Sequence, residues 1–486
     1  MGRKAVVTVL VSTFLVAVGA YGTADTFDKV PGILTTKPPV SDPQRLPAFK
    51  PLRLAKVTFS KPQETPVDAQ KVAAILNTLK TDVDTVNATA ASGNNGTKPP
   101  EKKEGEGALP PPPSPNPAAT PAKISALVRA DGKDLGAINP KETLVPASST
   151  KLVAAATALK ILGPNYRFPT YTTYSDGTLN LIGEGDMLLS SGKGQARLTN
   201  GHAGLGDLAA ATAAKLKKEK VGSVRLNIDT TYYGKPDTHP DWTEEGNTEF
   251  VGKIVPLAID TGRIDGTQYR YYDDPVQVVA TEFAHRLTEA GITVSETTQS
   301  KAKEGERLAS VQSAPLAAVI HETLKDSDNT LAEGICHAAA AKAGQPATFA
   351  GADKVVQSVI ANLKIPRAEV ANRDCSGLSE KGRISADAFV KILESSGPEM
   401  HSIPSALPVA SLDGTLHDRF FDTEGAGVVR AKTGTLSHSR SLSGYITTRS
   451  GKRLTFAIIV DGYASGAAGG VIEAVDKAAT ALAALP

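Results

Sequence analysis

The sequence predicts an α+β fold in which an antiparallel sheet is flanked by helices. Two β-hairpins are indicated near opposite ends of the chain, within residues 124–138 and 442–460, each with a polar turn that contains glycine. Apolar residues recur at helical spacing over residues 67–86 and again over residues 471–485, which predicts an amphipathic helix at each end. We therefore expect strands from both ends to meet in one sheet covered by the terminal helices.

Composition narrows the class of protein. The chain has 486 residues, more than the roughly 100–200 of a typical domain, and its net charge of +2 favours no nucleic-acid partner. Aromatic residues make up only 5%, and neither the two cysteines nor the eight histidines have metal-ligand spacing. We expect a protein of more than one domain that uses no metal and no other cofactor.

The N-terminus predicts export. Arg3 and Lys4 precede an almost wholly apolar run over residues 5–20, and the small residues Gly22 and Ala24 permit cleavage. Because about 20 apolar residues span a bilayer, residues 1–24 are either a signal peptide or a transmembrane anchor. The basic residues before the run place everything after it outside the cytoplasm, so we expect a secreted or membrane-anchored protein.

Two segments have the composition of linkers. Residues 25–66 are rich in proline and predict an extended connection to the first helix. Residues 87–123 contain glycine, a mixed charge block and four consecutive prolines from Pro110 to Pro113. Such a segment buries too little apolar surface to offset the entropy cost of ordering it, so we expect a disordered insertion there.

Ser148 and Lys151 are the first candidate catalytic residues. They stand where a helix is predicted to begin, because Pro146 precedes them and an apolar run follows. Residues three apart share a helix face, so the lysine amine can take the proton of the serine hydroxyl and make it nucleophilic. The same S-x-x-K spacing recurs at Ser190 and Ser300, but no helical apolar run follows either serine.

Two further motifs follow in the chain. One is S-D-N at the start of a predicted helix, and the other is K-T-G-T shortly before a predicted strand. S-x-x-K, S-x-N and K-T-G in this order are the signature of penicillin-binding proteins and serine β-lactamases. The residues of the two motifs are Ser327, Asp328 and Asn329, and Lys432, Thr433, Gly434 and Thr435.

On these motifs the chain resembles the class C penicillin-binding proteins, which are low-molecular-mass D-alanyl-D-alanine carboxypeptidases and can also be endopeptidases. Residues 374–379 (D-C-S-G-L-S) resemble the D-G-S-G-L-S of that family, and residues 407–416 resemble the segment before its K-T-G. Residues 183–186 resemble the G-G-G-D of its inserted domain. The resemblance implies a β-lactamase/transpeptidase-like domain with an inserted β-rich domain.

The resemblance also implies an order of domains. Residues 67–167 are expected to be the first part of the transpeptidase domain, interrupted by the insertion, and residues 307–486 the second part. Residues 168–306 are expected to form the inserted domain. Within it, residues 224–229 predict a strand and residues 276–290 a helix.

The resemblance further implies a role for each motif residue. The substrates of the family are peptidoglycan stem peptides that end in D-Ala-D-Ala, and β-lactam antibiotics act as its covalent inhibitors. Ser148 would attack the penultimate carbonyl, with Lys151 as the base. Backbone N–H groups of Ser148 and Thr435 would form the oxyanion hole, and Ser327 would relay a proton to the leaving amine. The residues expected to bind the substrate amide and carboxylate are Asn329, Lys432, Thr433, Gly434 and Thr435.

The two cysteines are candidates for a disulfide. In an exported protein Cys336 and Cys375 can pair. Cys375 replaces a glycine in the D-G-S-G-L-S motif of the family, so such a bridge would lie close to the active site. The alternative is a buried thiol at each position, whereas a catalytic thiol is disfavoured because no histidine partner is evident nearby.

Two other functions stay open on the sequence. A serine β-lactamase shares the order of the motifs, but such enzymes are typically compact single domains and this chain has a large insert. A catalytically silent cell-wall-binding protein is disfavoured by the three intact motifs. An acyl-enzyme with penicillin that lasts minutes or longer would distinguish a penicillin-binding protein from a β-lactamase. Failure to form an acyl-enzyme would support the silent wall-binding protein.

Overall fold

The computed structural model describes residues 66–92, 121–264, 267–395 and 397–486. The predicted signal peptide or anchor, nearly all of the proline-rich linker and most of the predicted insertion lie outside the described residues. In the ranges that are described, no helix combines the length and the apolar content needed to cross a membrane.

The elements are labelled in chain order. The helices are α1 (Ala69–Ala91), α2 (Lys151–Leu162), α3 (Leu205–Lys218), α4 (Pro240–Glu244), α5 (Pro275–Glu289), α6 (Leu316–Lys325), α7 (Asn329–Lys342), α8 (Phe349–Asn362), α9 (Ala386–Glu394), α10 (Ser402–Ala406) and α11 (Ala468–Ala483). The strands are β1 (Lys123–Ala130), β2 (Lys133–Ile138), β3 (Thr143–Leu144), β4 (Pro169–Ser175), β5 (Thr178–Gly183), β6 (Asp186–Leu189), β7 (Ser223–Asp229), β8 (Leu257–Ile259), β9 (Thr293–Gln299), β10 (Glu306–Gln312), β11 (Val370–Ala371), β12 (Arg383–Ser385), β13 (Val429–Leu436), β14 (Ser439–Thr447) and β15 (Arg453–Asp461). Short 3-10 helices span Ala147–Thr150, Thr248–Phe250, Asp260–Gly262, Arg367–Glu369, Pro398–His401 and Gly414–Leu416.

The main sheet joins strands from both ends of the chain. Its order is β13-β14-β15-β1-β2, and every neighbouring pair is antiparallel. The two predicted hairpins are β1–β2 and β14–β15, and β1 pairs with β15 so that Leu127 lies opposite Ala457. Both hairpins, and the closing of one sheet by strands from the two ends, are therefore confirmed.

Each face of the main sheet covers a separate hydrophobic core, because successive side chains of a strand point to opposite faces. On one face Val128 packs with the apolar sides of the two terminal helices, including Leu76 of α1 and Val475 of α11. On the other face Leu127 and Ile459 belong to the core that contains α2. The terminal helices thus cover the sheet as predicted.

Helix α2 runs through the second core. All of its residues from Lys151 to Leu159 are buried, as expected for a helix that is apolar on every side. It ends before Gly163, which takes a φ of 80°, and it begins directly after the 3-10 turn that carries Ser148. A helix packed all round therefore fixes the position of the candidate nucleophile.

A second five-stranded sheet occupies the region of the predicted inserted domain. Its order is β10-β4-β5-β7-β9, antiparallel at β10–β4 and β4–β5 and parallel at β5–β7 and β7–β9. The predicted strand at 224–229 and helix at 276–290 are present as β7 and α5. The region also contains α3, which was not predicted, and its sheet continues past residue 306 because β10 supplies an edge strand.

Helix α1 extends beyond its predicted end at residue 86, so residues 87–91 are helical rather than part of the insertion. Asn87, the first of these residues, contacts the other end of the chain. Its side chain is buried, and its Oδ1 accepts a hydrogen bond from the backbone N–H of Ala464 at 2.6 Å. The composition of residues 87–123 predicts that this asparagine belongs to the insertion, but it satisfies a buried backbone donor near the other end of the chain.

Candidate active site

Ser148 lies in a tight turn that backbone contacts hold in place. Ala147, the residue before it, has a φ of 48°, a conformation that costs energy for a residue other than glycine. The hydroxyl of Thr150 donates to the carbonyl oxygen of Ala147 at 2.8 Å. A Cβ on Gly377 would lie 2.0 Å from that same oxygen, so only glycine allows the neighbouring loop to approach. The turn leaves Ser148 half-buried while its three neighbours in the 3-10 helix are buried.

Lys151 is fully buried, and its ammonium group uses all three of its donors. Nζ donates to Oγ of Ser148 at 2.8 Å, to Oδ1 of Asn329 at 2.6 Å and to the backbone oxygen of Ser376 at 2.7 Å. None of these acceptors is a carboxylate. Burial therefore lowers the pKa of Lys151 from 10.5 to about 8, although nearby carboxylates oppose the shift. An amine of this kind can exchange a proton with Ser148 near neutral pH.

Lys432 and Ser327 form a second Ser–Lys pair. Lys432 is fully buried, and its Nζ donates to Oγ of Ser327 and to the backbone oxygen of Thr433, both at 2.9 Å. Burial, with a smaller contribution from the charge of Lys151, holds the pKa of Lys432 well below its usual value. Ser327 has a φ of 57° at the turn before α7, which aims its hydroxyl at this amine.

Two residues of the predicted inserted domain, Phe250 and Arg263, hold the S-D-N motif in place. Asn329 begins α7, and its Nδ2 donates to the backbone oxygen of Phe250 at 2.8 Å while its Oδ1 accepts from Lys151. Asp328 caps α7 and pairs with the guanidinium of Arg263 at 2.6 Å. Neither Phe250 nor Arg263 could be predicted from the sequence, because neither stands in a recognisable motif. The geometry makes them part of the wall around the motif.

The K-T-G residues lie in β13, the outer strand of the main sheet. A Cβ on Gly434 would lie 2.1 Å from Oγ of Ser441 and 2.5 Å from the carbonyl oxygen of Pro146. Glycine therefore lets the strand lie against the turn that carries Ser148. The hydroxyls of Thr433 and Thr415 are 2.8 Å apart, and Thr435 is exposed on the strand.

The loop over residues 374–379 carries the third acceptor of Lys151. In the structure Cys375 is paired with Cys336 of α7, the two residues that the sequence offers as candidates for a disulfide. The carboxylate of Asp374 accepts hydrogen bonds from the backbone N–H groups of Gly377 at 2.7 Å and Ser379 at 2.8 Å. The loop is thus folded around a carboxylate and joined covalently to the helix that follows S-D-N.

A cleft of about 670 Å³ adjoins the motifs, and Asp326, Asp328 and Thr415 are among its lining residues. Thr415 belongs to the segment 407–416 that resembles the one before the K-T-G of the family. Lys325 ties this segment to the end of α6 by donating to the carboxylate of Asp413 at 2.5 Å. The segment therefore forms a wall of the cleft.

The other two S-x-x-K matches lie outside this arrangement. The hydroxyl of Ser190 accepts a hydrogen bond from the backbone N–H of Gly192, and that of Ser300 donates to Oδ1 of Asn227. Lys193 and Lys303, their would-be partners, are exposed. The structure brings the eight predicted site residues together and places neither of these serines among them. Those eight are Ser148, Lys151, Ser327, Asn329, Lys432, Thr433, Gly434 and Thr435.

Comparison with known families agrees with this geometry. A sequence model of the D-Ala-D-Ala carboxypeptidase 3 (S13) family matches residues 122–272 and 265–482, which is most of the described chain. A carboxypeptidase of Mycobacterium tuberculosis is 34% identical over 335 residues, covering 65% of this chain and 71% of that protein. A D-alanyl-D-alanine carboxypeptidase of an Actinomadura species is 25% identical over 432 residues, covering 72% and 80%.

Among solved structures, the fold is similar to that of penicillin binding protein 4 from Haemophilus influenzae. The TM-score is 0.60 at 20% sequence identity, and the match covers 71% of this chain and 91% of that one. At this level of identity the likeness concerns the fold alone. It supports the predicted α+β transpeptidase-like architecture.

Proposed function

The chain belongs to the D-Ala-D-Ala carboxypeptidase 3 (S13) family, and on that premise we propose that it cleaves the terminal D-Ala from peptidoglycan stem peptides through an acyl-enzyme on Ser148. It is a serine hydrolase of the low-molecular-mass penicillin-binding class. The observation that carries the proposal is the fully buried Lys151, whose Nζ lies 2.8 Å from Oγ of Ser148.

Acylation begins at the first Ser–Lys pair. The proton of the Ser148 hydroxyl passes to Nζ of Lys151 as Oγ forms a bond to the penultimate D-Ala carbonyl carbon. With a pKa of about 8, roughly a tenth of Lys151 is already neutral at pH 7. An unperturbed lysine with a pKa of 10.5 would be neutral about 300-fold less often. Desolvation of the amine therefore supplies the base.

The second pair serves the leaving group. When the tetrahedral intermediate collapses, the C–N bond breaks and the departing amine of D-Ala needs a proton. Ser327 can donate its hydroxyl proton and recover one from Lys432, whose Nζ is 2.9 Å away. Asn329, held between Lys151 and Phe250, is placed to bind an amide of the substrate.

The K-T-G strand and the turn at Ser148 would bind two groups of the substrate: its terminal carboxylate and the oxyanion that forms during the reaction. The backbone N–H groups of Ser148 and Thr435 are the proposed oxyanion hole, and such a donor is typically worth about 3 kcal/mol of transition-state stabilisation. The hydroxyls of Thr433 and Thr435, with the positive potential of Lys432, would bind the terminal carboxylate. An outer strand also suits an extended peptide, which can lie alongside it.

Water then hydrolyses the acyl-enzyme and restores Ser148. An acyl donor whose leaving amine belongs to a neighbouring stem would make the same chemistry an endopeptidase reaction. β-Lactams would acylate Ser148 by the same attack and remain bound covalently. The predicted apolar segment at residues 5–20 would export the protein and either be cleaved or retain it at the membrane.

The test is to incubate the protein, without its first 65 residues, with a penicillin and with a defined muropeptide. We expect a mass increase equal to one penicillin, located on the peptide that contains Ser148, and release of D-Ala from the muropeptide. Absence of both products would refute the proposal. That outcome would favour a catalytically silent wall-binding protein, whereas an acyl-enzyme that is lost within seconds, without release of D-Ala, would favour a β-lactamase.

A further inference from the structure

Glu333 is a buried acidic residue that the proposed chemistry does not use. It lies one helical turn after Asn329 on α7 and is fully buried. Its Oε1 accepts hydrogen bonds from two consecutive backbone N–H groups, those of Cys375 at 2.9 Å and Ser376 at 2.7 Å. Burying a carboxyl group costs free energy unless the group is hydrogen-bonded, so the two N–H groups that it accepts from indicate its role.

The peptide at Ser376 links Glu333 to the catalytic base. Its N–H donates to Glu333, and its carbonyl oxygen accepts from Nζ of Lys151 at 2.7 Å. That carbonyl is one of three acceptors that orient the amine, and the other two are the side chains of Ser148 and Asn329. Fixing the Ser376 carbonyl therefore fixes the direction in which Lys151 presents its remaining hydrogens.

From these contacts we propose that Glu333 is a positioning residue for acylation, which holds the Ser376 carbonyl against Lys151 so that the amine faces Ser148. The inference rests on the proposed function, since Lys151 must act as the base for its orientation to matter. Glu333 touches neither the substrate nor the reacting atoms. Its action passes through the backbone of the loop over residues 374–379.

Two different properties of Glu333 could matter, and the structure favours one of them. Burial raises the pKa of Glu333 to about 8, so at neutral pH the carboxyl is largely uncharged and acts as a hydrogen-bond acceptor. A glutamine has the same shape and keeps a carbonyl oxygen at that position. An aspartate keeps the carboxyl group but withdraws it by one methylene from the two N–H groups.

The experiment compares E333Q with E333D in the second-order rate of Ser148 acylation by a penicillin, measured from pH 5 to 10. At pH 7 and below, where the carboxyl of Glu333 is largely uncharged, we expect E333Q to keep the rate within about threefold, because both N–H groups keep their acceptor. We expect E333D to acylate about tenfold or more slowly, as for the loss of one hydrogen bond to a charged donor. The acidic limb of the E333D pH profile should move to lower pH, because a displaced Ser376 carbonyl stabilises the protonated amine of Lys151 less.

The matched control is Glu369, which is buried and accepts a hydrogen bond from Oγ of Ser385 at 2.7 Å. E369Q and E369D should change the melting temperature without moving the pH profile. A slowed E333Q with a normal E333D would overturn the inference in favour of a charge effect. If the melting temperature of E333D falls but the acidic limb of its pH profile does not move, Glu333 has a purely structural role. Should E333D fail to fold, a tenfold slower E333Q suffices to reject the inference. If the wild-type protein is not labelled at all, the proposed function fails instead.

Discussion

Nζ of Lys432 lies 2.9 Å from Oγ of Ser327, and this contact repeats the 2.8 Å contact between Lys151 and Ser148. Both lysines are fully buried. Among the described residues, no carboxylate accepts a hydrogen bond from either amine. Because desolvation is the main cause of both lowered pKa values, the site holds two amines that give up a proton more readily than an ordinary lysine.

The first prediction concerns the nucleophile. Replacing Ser148 with alanine should abolish both penicillin labelling and D-Ala release, because the bond-forming oxygen is removed. Ser190→Ala and Ser300→Ala provide matched controls with the same S-x-x-K spacing, and both should remain near wild type. Intact-mass spectrometry after incubation with penicillin measures the labelling. A labelled Ser148→Ala protein would reject the assignment of the site.

The second prediction concerns pH. The base must be neutral to accept the proton of Ser148, so the acylation rate should rise with pH and level off near the Lys151 pKa of about 8. An unperturbed lysine would place that limb more than two units higher, near 10.5. Stopped-flow measurement of acylation by a chromogenic β-lactam from pH 5 to 10 gives the profile. A rate that is still rising steeply at pH 10 would show that burial does not lower the pKa of this amine.

The positions of the motif residues could be predicted from the sequence because each depends on a local pattern. A helix start presents Ser148 and Lys151, and a capped helix follows Ser327. The partners of Lys151 and Asn329 include the backbone oxygens of Ser376 and Phe250, and a backbone atom leaves no mark in the sequence. Such contacts follow only from the tertiary fold.

Residue polarity misleads at one position and is informative at another. Asn87 looked like a linker residue and is buried, because one backbone donor at the far end of the chain needs an acceptor. Glu333 interrupts an otherwise apolar stretch of α7, and that interruption was a usable signal. A single charged residue on the buried face of a helix has a partner in the fold, although the sequence does not say which one.

The third prediction concerns Lys432. Lys432→Met keeps most of the buried volume but removes the amine that contacts Ser327, so acylation should fall about a hundredfold, as for loss of a general acid–base group. The melting temperature should change little, because the gain from replacing a buried group that prefers water offsets the lost hydrogen bonds to Ser327 and Thr433. Lys477→Met, at an exposed position, is the control and should alter neither property. A normal acylation rate in Lys432→Met would exclude Lys432 from the proton pathway.

The fourth prediction concerns the disulfide. Cys336 and Cys375 are 39 residues apart, so replacing both with alanine should lower the free energy of unfolding by about 3–4 kcal/mol through the entropy of the unfolded chain. Denaturant unfolding of the double variant measures this. Alkylation of the unfolded wild type should add two groups only after reduction. Alkylation without a reductant would show that the bond is absent, whatever the stability of the variant.

The last prediction separates the end of α1 from the predicted insertion that follows it. Replacing residues 93–120 with a short Gly/Ser linker should leave acylation and melting temperature nearly unchanged, because loop-closure entropy changes by only about 0.6 kcal/mol per doubling of length. Extending the replacement back to residue 87 removes Asn87, and the buried N–H of Ala464 loses its acceptor.

The longer replacement should therefore destabilise the protein by about 1–3 kcal/mol, the cost of leaving a buried donor unpaired. Asn87→Ala in the full chain is the matched control and should reproduce most of that loss. Thermal unfolding of the three variants gives the comparison. If the shorter replacement lowers the melting temperature as much as the longer one, residues 93–120 contribute to the stability of the catalytic domain and the composition of that segment has misled us. If only the longer one does, residues 87–92 contribute to stability and residues 93–120 do not, as the contact between Asn87 and Ala464 predicts.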